Sequence, residues 1–256
     1  MELDELNYFF FDLDKTLWNW DDTIIGAEDL IDSLREADKK VYFHTDNTLL
    51  SREEYARKLT SMGIPAEEED IITSGYVAAK HLSKNDITEV YAIGEPGLHT
   101  ELEKEGIDIS EEADTVIAGF DRQFSYSKLR RVMSILENGG DLYLCSTETS
   151  FRTSNYSMPH QGPFNLAMKE FGDAEIIGKP SEIFREEFKE YFSFFPGRSA
   201  FVGDRLGDME TGNRLGMTTL AVMSGEIDRE KLAYAEDIEK PDFGLSSLAK
   251  LRRRVL

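Results

Sequence analysis

The chain has 256 residues, which is enough for one large domain or two smaller ones, each with its own core. Hydrophobic residues make up 40% of it and charged residues 31%, a composition typical of a folded globular protein rather than a disordered or fibrous one. The formal net charge of -21 disfavours nucleic acids and anionic membrane surfaces as partners.

The single cysteine, Cys145, excludes an internal disulfide and is expected to be a small buried residue. Because the acidic amino terminus does not resemble a secretory signal and no apolar run is long enough to cross a bilayer, we expect a cytoplasmic protein.

Short apolar runs, each followed by a helical pattern, predict buried parallel strands in an α/β fold. A helix is predicted between the first two runs, from GAEDLIDSLREADKK, and another after the second run, with Ser51 as its N-cap. The strands predicted in this way are residues 7–11, 41–44, 200–202 and 219–222. Such alternation favours a Rossmann-like, doubly wound parallel sheet with helices on both faces.

The middle of the chain contains a second set of alternating elements. Strands are predicted at residues 90–93, 115–117 and 142–145, and helices at 97–105, 125–137 and 163–171. These elements are enough for a smaller α/β domain inserted into the first. We therefore expect a core domain formed by residues 1–80 and 179–256, and an inserted domain formed by residues 81–178.

Two carboxylates follow the first predicted strand at alternate positions. Asp12 and Asp14 can face one small volume, where a bound cation would relieve their repulsion. Asp12 can act as a nucleophile toward a phosphoryl group, while Asp14 can protonate the leaving alcohol and later activate water. Taken alone, this segment is explained equally well as an ordinary polar transition from a strand to a loop, where Asp and Thr are common.

A second acidic segment follows the predicted strand at 200–202. Its two carboxylates, Asp204 and Asp208, follow the end of this strand, which can lie beside the end of the first predicted strand. Oxygen ligands of this kind suit Mg²⁺, which we expect as the cofactor. Two further residues are directed toward phosphate: the hydroxyl of Thr45 at the end of a strand, and the point charge of Lys179.

Along the chain the order is the segment of Asp12 and Asp14, then Thr45, then Lys179, and then the segment of Asp204 and Asp208. This order resembles the four motifs of the haloacid-dehalogenase superfamily. More narrowly, the chain resembles the nitrophenyl phosphatases and NagD-like proteins that have a class IIA cap. The resemblance covers nearly the whole chain and is carried by the stretches DKTLWNWDDTIIGA, HTDNTLLSREEYARKLTSMGI, AGFDRQFSYSKL, IIGKP and GDRLGDMETGNRLGMTTLAVMSG.

The resemblance implies a role for each matching residue. Asp12 is the nucleophile and a metal ligand, Asp14 is the general acid/base and binds the metal through its carbonyl, Asp204 is a metal ligand, and Asp208 supports the metal site. Phosphate binding falls to Thr45, Asp46, Asn47 and Lys179. The inserted domain is a cap that closes over the substrate, in which Thr147 and Glu148 would contact it.

Some positions depart from the family pattern and leave the substrate open. Lys15 stands where the family usually has glycine, and Asp46 where it usually has asparagine. The stretch from Asp204 to Asp208 is one residue shorter than is usual in the subfamily. In the cap, CSTETSF replaces a pattern closer to TNPD, and HQGPFN replaces a glycine-rich turn.

The predicted function is therefore a magnesium-dependent phosphatase acting on a small phosphorylated metabolite, such as a sugar phosphate, a nucleotide or an ester like p-nitrophenyl phosphate. A phosphotransferase of the same fold and a catalytically idle protein that binds phosphometabolites remain alternatives. Asp14 and the second acidic pair argue against a haloalkanoic-acid dehalogenase. The four histidines are scattered, so no zinc site is predicted. A homodimer is left open.

Overall fold

A computed structural model describes residues 3–20, 22–152, 156–223 and 225–255 of the chain. Its strands are β1 Tyr8–Asp12, β2 Trp18–Asn19, β3 Asp22–Thr23, β4 Lys40–Thr45, β5 Ile71–Thr73, β6 Glu89–Ile93, β7 Asp108–Ile109, β8 Thr115–Ala118, β9 Asp141–Leu144, β10 Ser150–Arg152, β11 Ser157–Pro159, β12 Glu175–Ile176, β13 Ser199–Gly203, β14 Thr218–Val222 and β15 Phe243–Leu245. Its α-helices are α1 Ala27–Glu36, α2 Arg52–Ser61, α3 Ser74–Lys84, α4 Pro96–Lys104, α5 Tyr126–Glu137, α6 Gly162–Lys169, α7 Glu182–Tyr191, α8 Leu206–Arg214, α9 Arg229–Tyr234 and α10 Leu248–Val255.

The chain divides into two compact units. The first comprises Met1–Thr45, Ala56–Ile71 and Lys189–Leu256, and we call it the sheet unit. The second comprises Asp46–Tyr55 and Ile72–Phe188, and we call it the inserted unit. Each unit has its own sheet and its own buried side chains.

A six-stranded sheet, in the order β15-β14-β13-β1-β4-β5, carries the sheet unit. The pairings of β1 with β4 and β13, and of β14 with β13 and β15, are all parallel. The central strand β1, YFFFD, is buried over its last four residues, as expected for a strand covered on both faces. The four predicted strands of this sheet are confirmed, and they end at one edge, where Asp12 lies opposite His44.

Aromatic side chains fill part of the core of the sheet unit. The ring of Phe10 stacks on Tyr42 with a centroid distance of 5.1 Å and meets Phe192 edge-on at 5.2 Å. Helix α1 buries Leu30, Ile31 and Leu34, the spacing that predicted it. Burying these large side chains fixes the strands whose ends carry the acidic residues.

The inserted unit contains a five-stranded sheet in the order β12-β9-β8-β6-β7, in which all pairings are parallel. Its predicted strands and helices are confirmed to within two residues at each end. Side chains of β6, β8, β9, α5 and α6 form its core, among them Ile93, Val116, Ile135, Leu142 and Met168. Strands β10 and β11 pair separately as an antiparallel ribbon.

Cys145 follows β9 directly and is fully buried, as predicted. Burial, together with the nearby charge of Asp46, raises the pKa of this thiol well above its usual value. The thiol therefore stays protonated and acts as a small core side chain. Among the helices described, none combines the length and the apolar character that a membrane span requires.

Candidate active site

Asp12 is the last residue of β1, and its side chain is buried. The chain then turns sharply: the backbone N–H of Lys15 donates to the carbonyl of Trp18 at 2.6 Å, and Leu17 N–H donates to Leu13 O at 2.9 Å. Within this loop the indole N–H of the buried Trp18 donates to Asp14 Oδ1 at 2.9 Å. Asp12 therefore lies at the end of the strand, and Asp14 lies in the following loop, which is held by its own hydrogen bonds.

The second acidic loop leaves β13, the neighbour of β1. Asp204 follows the strand directly and is fully buried, and Asp208 lies in the first turn of α8, where its Oδ2 accepts the backbone N–H of Arg205 at 3.1 Å. Gly203 and Gly225 line this loop closely. A Cβ atom at Gly203 would lie 2.3 Å from Asp208 Oδ2, and one at Gly225 would lie 2.2 Å from Asp204 Oδ2.

The carboxylates of this loop fit a hard cation. Asp204 Oδ2 accepts the backbone N–H of Glu226 at 2.8 Å, whereas Asp204 Oδ1 is buried and has no hydrogen-bond partner among the described residues. Burial, followed by the negative charges of Asp12 and Asp208, raises the pKa of Asp204 well above its ordinary value. A buried carboxylate in this position, with an oxygen left over, is what a divalent cation would stabilise.

His44 joins this cluster, although the sequence reasoning gave it no role. Ligand atoms of Asp12, His44 and Asp208 all lie within 4.8 Å of one another, and His44 Nδ1 is 3.7 Å from Asp12 Oδ1. Its buried ring stacks on Phe201 at a centroid distance of 4.0 Å. Strand register could have revealed this residue, because Asp12 and His44 are paired in neighbouring parallel strands and their side chains therefore share a face.

Glu226 connects the two acidic loops through its side chain and its backbone. Its carboxylate forms an ion pair with Lys15, lies 3.5 Å from Arg205 Nη2 and 3.8 Å from Lys231 Nζ. Although burial alone would raise the pKa of Glu226, the charges of Arg205, Lys15 and Lys231 hold it below its usual value. Glu226 therefore stays ionised and links the loop that begins at Asp12 with the backbone that holds Asp204.

Residues predicted to bind phosphate are distributed over both units. Thr45 is the last residue of β4 in the sheet unit and is buried. In the inserted unit, Asp46 Oδ1 accepts the backbone N–H of Lys179 at 3.1 Å, and Asn47 Oδ1 accepts the backbone N–H of Leu49 at 3.0 Å. The aspartate that replaces the usual asparagine therefore has a defined contact, namely with the residue predicted to carry the phosphate-binding charge.

The two predicted cap residues lie in the loop after β9. Thr147 is exposed, and Glu148 is half-buried with its Oε2 3.8 Å from His160 Nε2. The ring of His160 stacks on Phe120 at 4.7 Å. Gly162 N–H donates to Glu148 O at 2.6 Å, so the two altered stretches of the inserted unit, CSTETSF and HQGPFN, pack directly against each other.

The structure brings some predicted residues together within each unit. In the sheet unit, ligand atoms of Asp12, Asp208 and His44 lie close together, and the buried Asp204 is near enough for the charges of both aspartates to raise its pKa. The carboxylate of Asp14 turns to Trp18, and in the inserted unit Asp46 lies beside Lys179. Backbone contacts such as that of Glu226 with Asp204 leave no pattern in the spacing of residues, which is why the sequence reasoning missed them.

Comparison with known proteins identifies the family of the chain. Residues 9–108 match the model of a haloacid dehalogenase-like hydrolase family, and residues 176–251 match a second, described as HAD-hydrolase-like. The crystal structure of a 4-nitrophenylphosphatase from Thermotoga maritima superposes with a TM-score of 0.89 and 30% identity, covering 99% of each chain.

Curated relatives are phosphatases as well. A 5′-nucleotidase of Bacillus subtilis is 29% identical over 94% of this chain and 96% of its own length. The chloroplastic phosphoglycolate phosphatase 1A of Arabidopsis thaliana is 28% identical over 96% of this chain and 76% of its own length. The predicted family and fold class are thus confirmed: the chain belongs to the haloacid dehalogenase-like hydrolases and has their α/β fold.

Proposed function

We propose that the chain is a magnesium-dependent phosphatase that hydrolyses small phosphomonoesters, such as sugar phosphates, nucleotides or esters like p-nitrophenyl phosphate, through an aspartyl-phosphate on Asp12. The observation that carries this proposal is the set of buried carboxylates beside the ends of the adjacent parallel strands β1 and β13. Ligand atoms of Asp12 and Asp208 lie within 4.8 Å of each other together with His44, and the charges of these aspartates act on the buried Asp204. The proposal is supported by relatives named as a 4-nitrophenylphosphatase, a 5′-nucleotidase and phosphoglycolate phosphatases.

The reaction needs two carboxylates with different tasks. An oxygen of Asp12 attacks the phosphorus atom, and the bond from phosphorus to the leaving oxygen breaks as Asp14 gives that oxygen a proton. Asp14 then takes a proton from a water molecule whose oxygen attacks the phosphorus of the aspartyl-phosphate. Inorganic phosphate leaves, and Asp12 is free again.

Mg²⁺ would be held by Asp12, by the carbonyl of Asp14 and by Asp204, with Asp208 in support. Bound there, the cation supplies charge that polarises the phosphoryl oxygens and offsets the carboxylates. Asp204, fully buried and with one oxygen not hydrogen-bonded to any described residue, is the residue best suited to this task. The ion pair between Lys15 and Glu226 stabilises the two loops that carry these groups.

We assign phosphate binding to Thr45, Asp46, Asn47 and Lys179. Residues 81–178 act as a cap on a core formed by residues 1–80 and 179–256, and exclude water from the reaction. Thr147 and Glu148 contact the part of the substrate beyond the phosphate. We place the reaction in the cytoplasm, and a homodimer remains a prediction.

Release of p-nitrophenol from p-nitrophenyl phosphate tests the function directly. We expect turnover that requires Mg²⁺ and is abolished by EDTA. The Asp12→Asn variant should lose at least ~10³-fold in kcat, because it removes the nucleophile while conserving shape. Asp32→Asn, a change of the same kind at an exposed position of α1, should keep full activity.

Three outcomes would contradict the proposal. Appreciable turnover by Asp12→Asn would exclude Asp12 as the nucleophile. Tight binding of phosphorylated metabolites by the wild type without any turnover would identify an idle binding protein. Transfer of the phosphoryl group to added glycerol in preference to water would identify a phosphotransferase.

A further inference from the structure

A cavity lies in the sheet unit, beside the carboxyl ends of β14 and β15. It has a volume of about 650 Å³, within the range of about 300–1,000 Å³ that is usual for small-molecule sites. Its walls come from the residue that follows β14, from α9, from the segment leading into β15, and from α10. None of the residues that we assign to catalysis lines it.

Four cations surround this cavity: Arg229, Lys240, Lys250 and Arg254. Lys240 contacts Asp237 at 2.7 Å, whereas the other three make no ion pair with any carboxylate that the structure describes. The chain has 50 acidic and only 29 basic residues, so a group of four cations around one cavity stands out from its overall charge. Lys250 and Arg254 are four residues apart on α10, so they share one face of that helix.

The floor of the cavity is apolar. Met223 and Leu232 are partly buried and pack against a small core of Met209, Ala221 and Ile227. Leu245, the last residue of β15, is buried. A ligand that uses both the floor and the rim therefore needs an apolar or aromatic body and more than one negative charge.

We propose that this cavity is a nucleotide-binding site separate from the catalytic centre. An aromatic base would rest on Met223 and Leu232, and the phosphates would meet the cations of α9 and α10. Phosphate oxygens form charge-assisted hydrogen bonds with arginine and lysine, and a polyanion relieves the mutual repulsion of clustered cations. The cluster also provides the local positive charge that a nucleotide needs in order to approach a protein of net charge -21.

The test uses ADP labelled with an N-methylanthraniloyl group on its ribose, added to the full chain in EDTA. Without divalent cations, the carboxylates of the catalytic centre repel the nucleotide. The cavity variant is Lys250→Gln/Arg254→Gln, and the matched control is Arg252→Gln/Arg253→Gln, which removes two cations from the same helix outside the cavity. All four side chains are exposed, so both variants should fold.

Fluorescence anisotropy should show saturable binding to the wild type. We expect Kd to rise about tenfold or more in the cavity variant and less than about twofold in the control. Unlabelled ADP should displace the label better than either adenosine or inorganic pyrophosphate. Absence of binding to the wild type, equal weakening in both variants, no weakening in either, or displacement by pyrophosphate as effective as by ADP would overturn the proposal.

Discussion

Lys15 occupies a backbone conformation that favours glycine, with φ of 63°. For a residue other than glycine, this left-handed conformation is less stable than the usual ones by roughly 1–2 kcal/mol. Lys15 also forms the ion pair with Glu226, and in a half-buried position such a pair offsets part of that energy. The lysine that replaces the family's usual glycine therefore has a defined structural partner at the edge of the candidate metal site.

We predict that Glu226→Gln weakens the affinity for Mg²⁺ by about threefold to tenfold, corresponding to roughly 1 kcal/mol. The variant keeps the backbone N–H that Asp204 accepts but loses the ionic link to Lys15, so the two acidic loops are held together less firmly. Isothermal titration with Mg²⁺ measures this directly. Lys231→Met, which removes an exposed partner of the same carboxylate, is the control. Equal Mg²⁺ affinity in Glu226→Gln and the wild type would show that the link has no such role.

Between elements, Glu95 joins the carboxyl ends of β6 and β8. Its Oε1 accepts Arg122 Nε at 2.7 Å and the Arg122 backbone N–H at 3.1 Å, and its Oε2 accepts Arg122 Nη2 at 3.0 Å. The hydrogen bond from the Arg122 side chain is the largest cause that holds the pKa of Glu95 below its usual value, and it outweighs the opposing effect of burial.

Because the pKa of Glu95 is lower in the folded protein than in the unfolded chain, its contribution to stability is complete above the unfolded value of about 4.3 and is lost as the pH falls through the folded pKa. We predict that Glu95→Gln lowers the free energy of unfolding by about 1 kcal/mol near neutral pH, a modest value because Arg122 is half exposed. The difference from the wild type should shrink as the pH is lowered from about 5 to about 3.

Urea titrations followed by circular dichroism measure this difference. Glu111→Gln, which removes an exposed glutamate of the same unit, should leave stability within about 0.5 kcal/mol of the wild type at every pH. A difference between Glu95→Gln and the wild type that stays constant with pH would contradict the ionic origin of the effect.

Sequence patterns predicted the long buried strands well and the short ones poorly. Strands β1 and β13 are continuous apolar runs, so their position and type follow from composition. Three of the short strands, β10, β11 and β15, have only three residues each. Many of these residues are polar or small, so the strands show no periodic hydrophobic pattern. At the site, the order of Asp12, Asp204 and Asp208 along the chain predicted their grouping. The contacts of His44 and Glu226 depend on strand register and on backbone geometry, which the sequence does not show directly.

For the whole molecule, we expect the buried acidic cluster to couple stability to the concentration of a divalent cation. A ligand that binds only the folded protein stabilises it by about 2.7 kcal/mol at a concentration of 100 Kd, which for a chain of this size corresponds to a rise in Tm of roughly 5 °C or more. We predict such a rise for Mg²⁺ in differential scanning fluorimetry of the wild type.

Ionic strength must be matched with NaCl, because a net charge of -21 is screened by any salt. Asp204→Asn should lose most of the rise that is specific to Mg²⁺, because the variant lacks the buried carboxylate on which the charges of both Asp12 and Asp208 act. A rise of the same size in this variant, or in NaCl alone, would show that Mg²⁺ acts on the surface rather than at the cluster.

The tight packing around Gly203 and Gly225 makes the site sensitive to mutations at residues that carry no catalytic group. At both positions a single methyl group would occupy space that now belongs to a carboxylate, which would have to move. A descendant of this chain could therefore keep Asp12, Asp14, Asp204 and Asp208 and still lose the arrangement of its buried carboxylates through one glycine-to-alanine substitution. In this chain the positions of the two buried carboxylates therefore depend on these glycines as well as on the aspartates themselves.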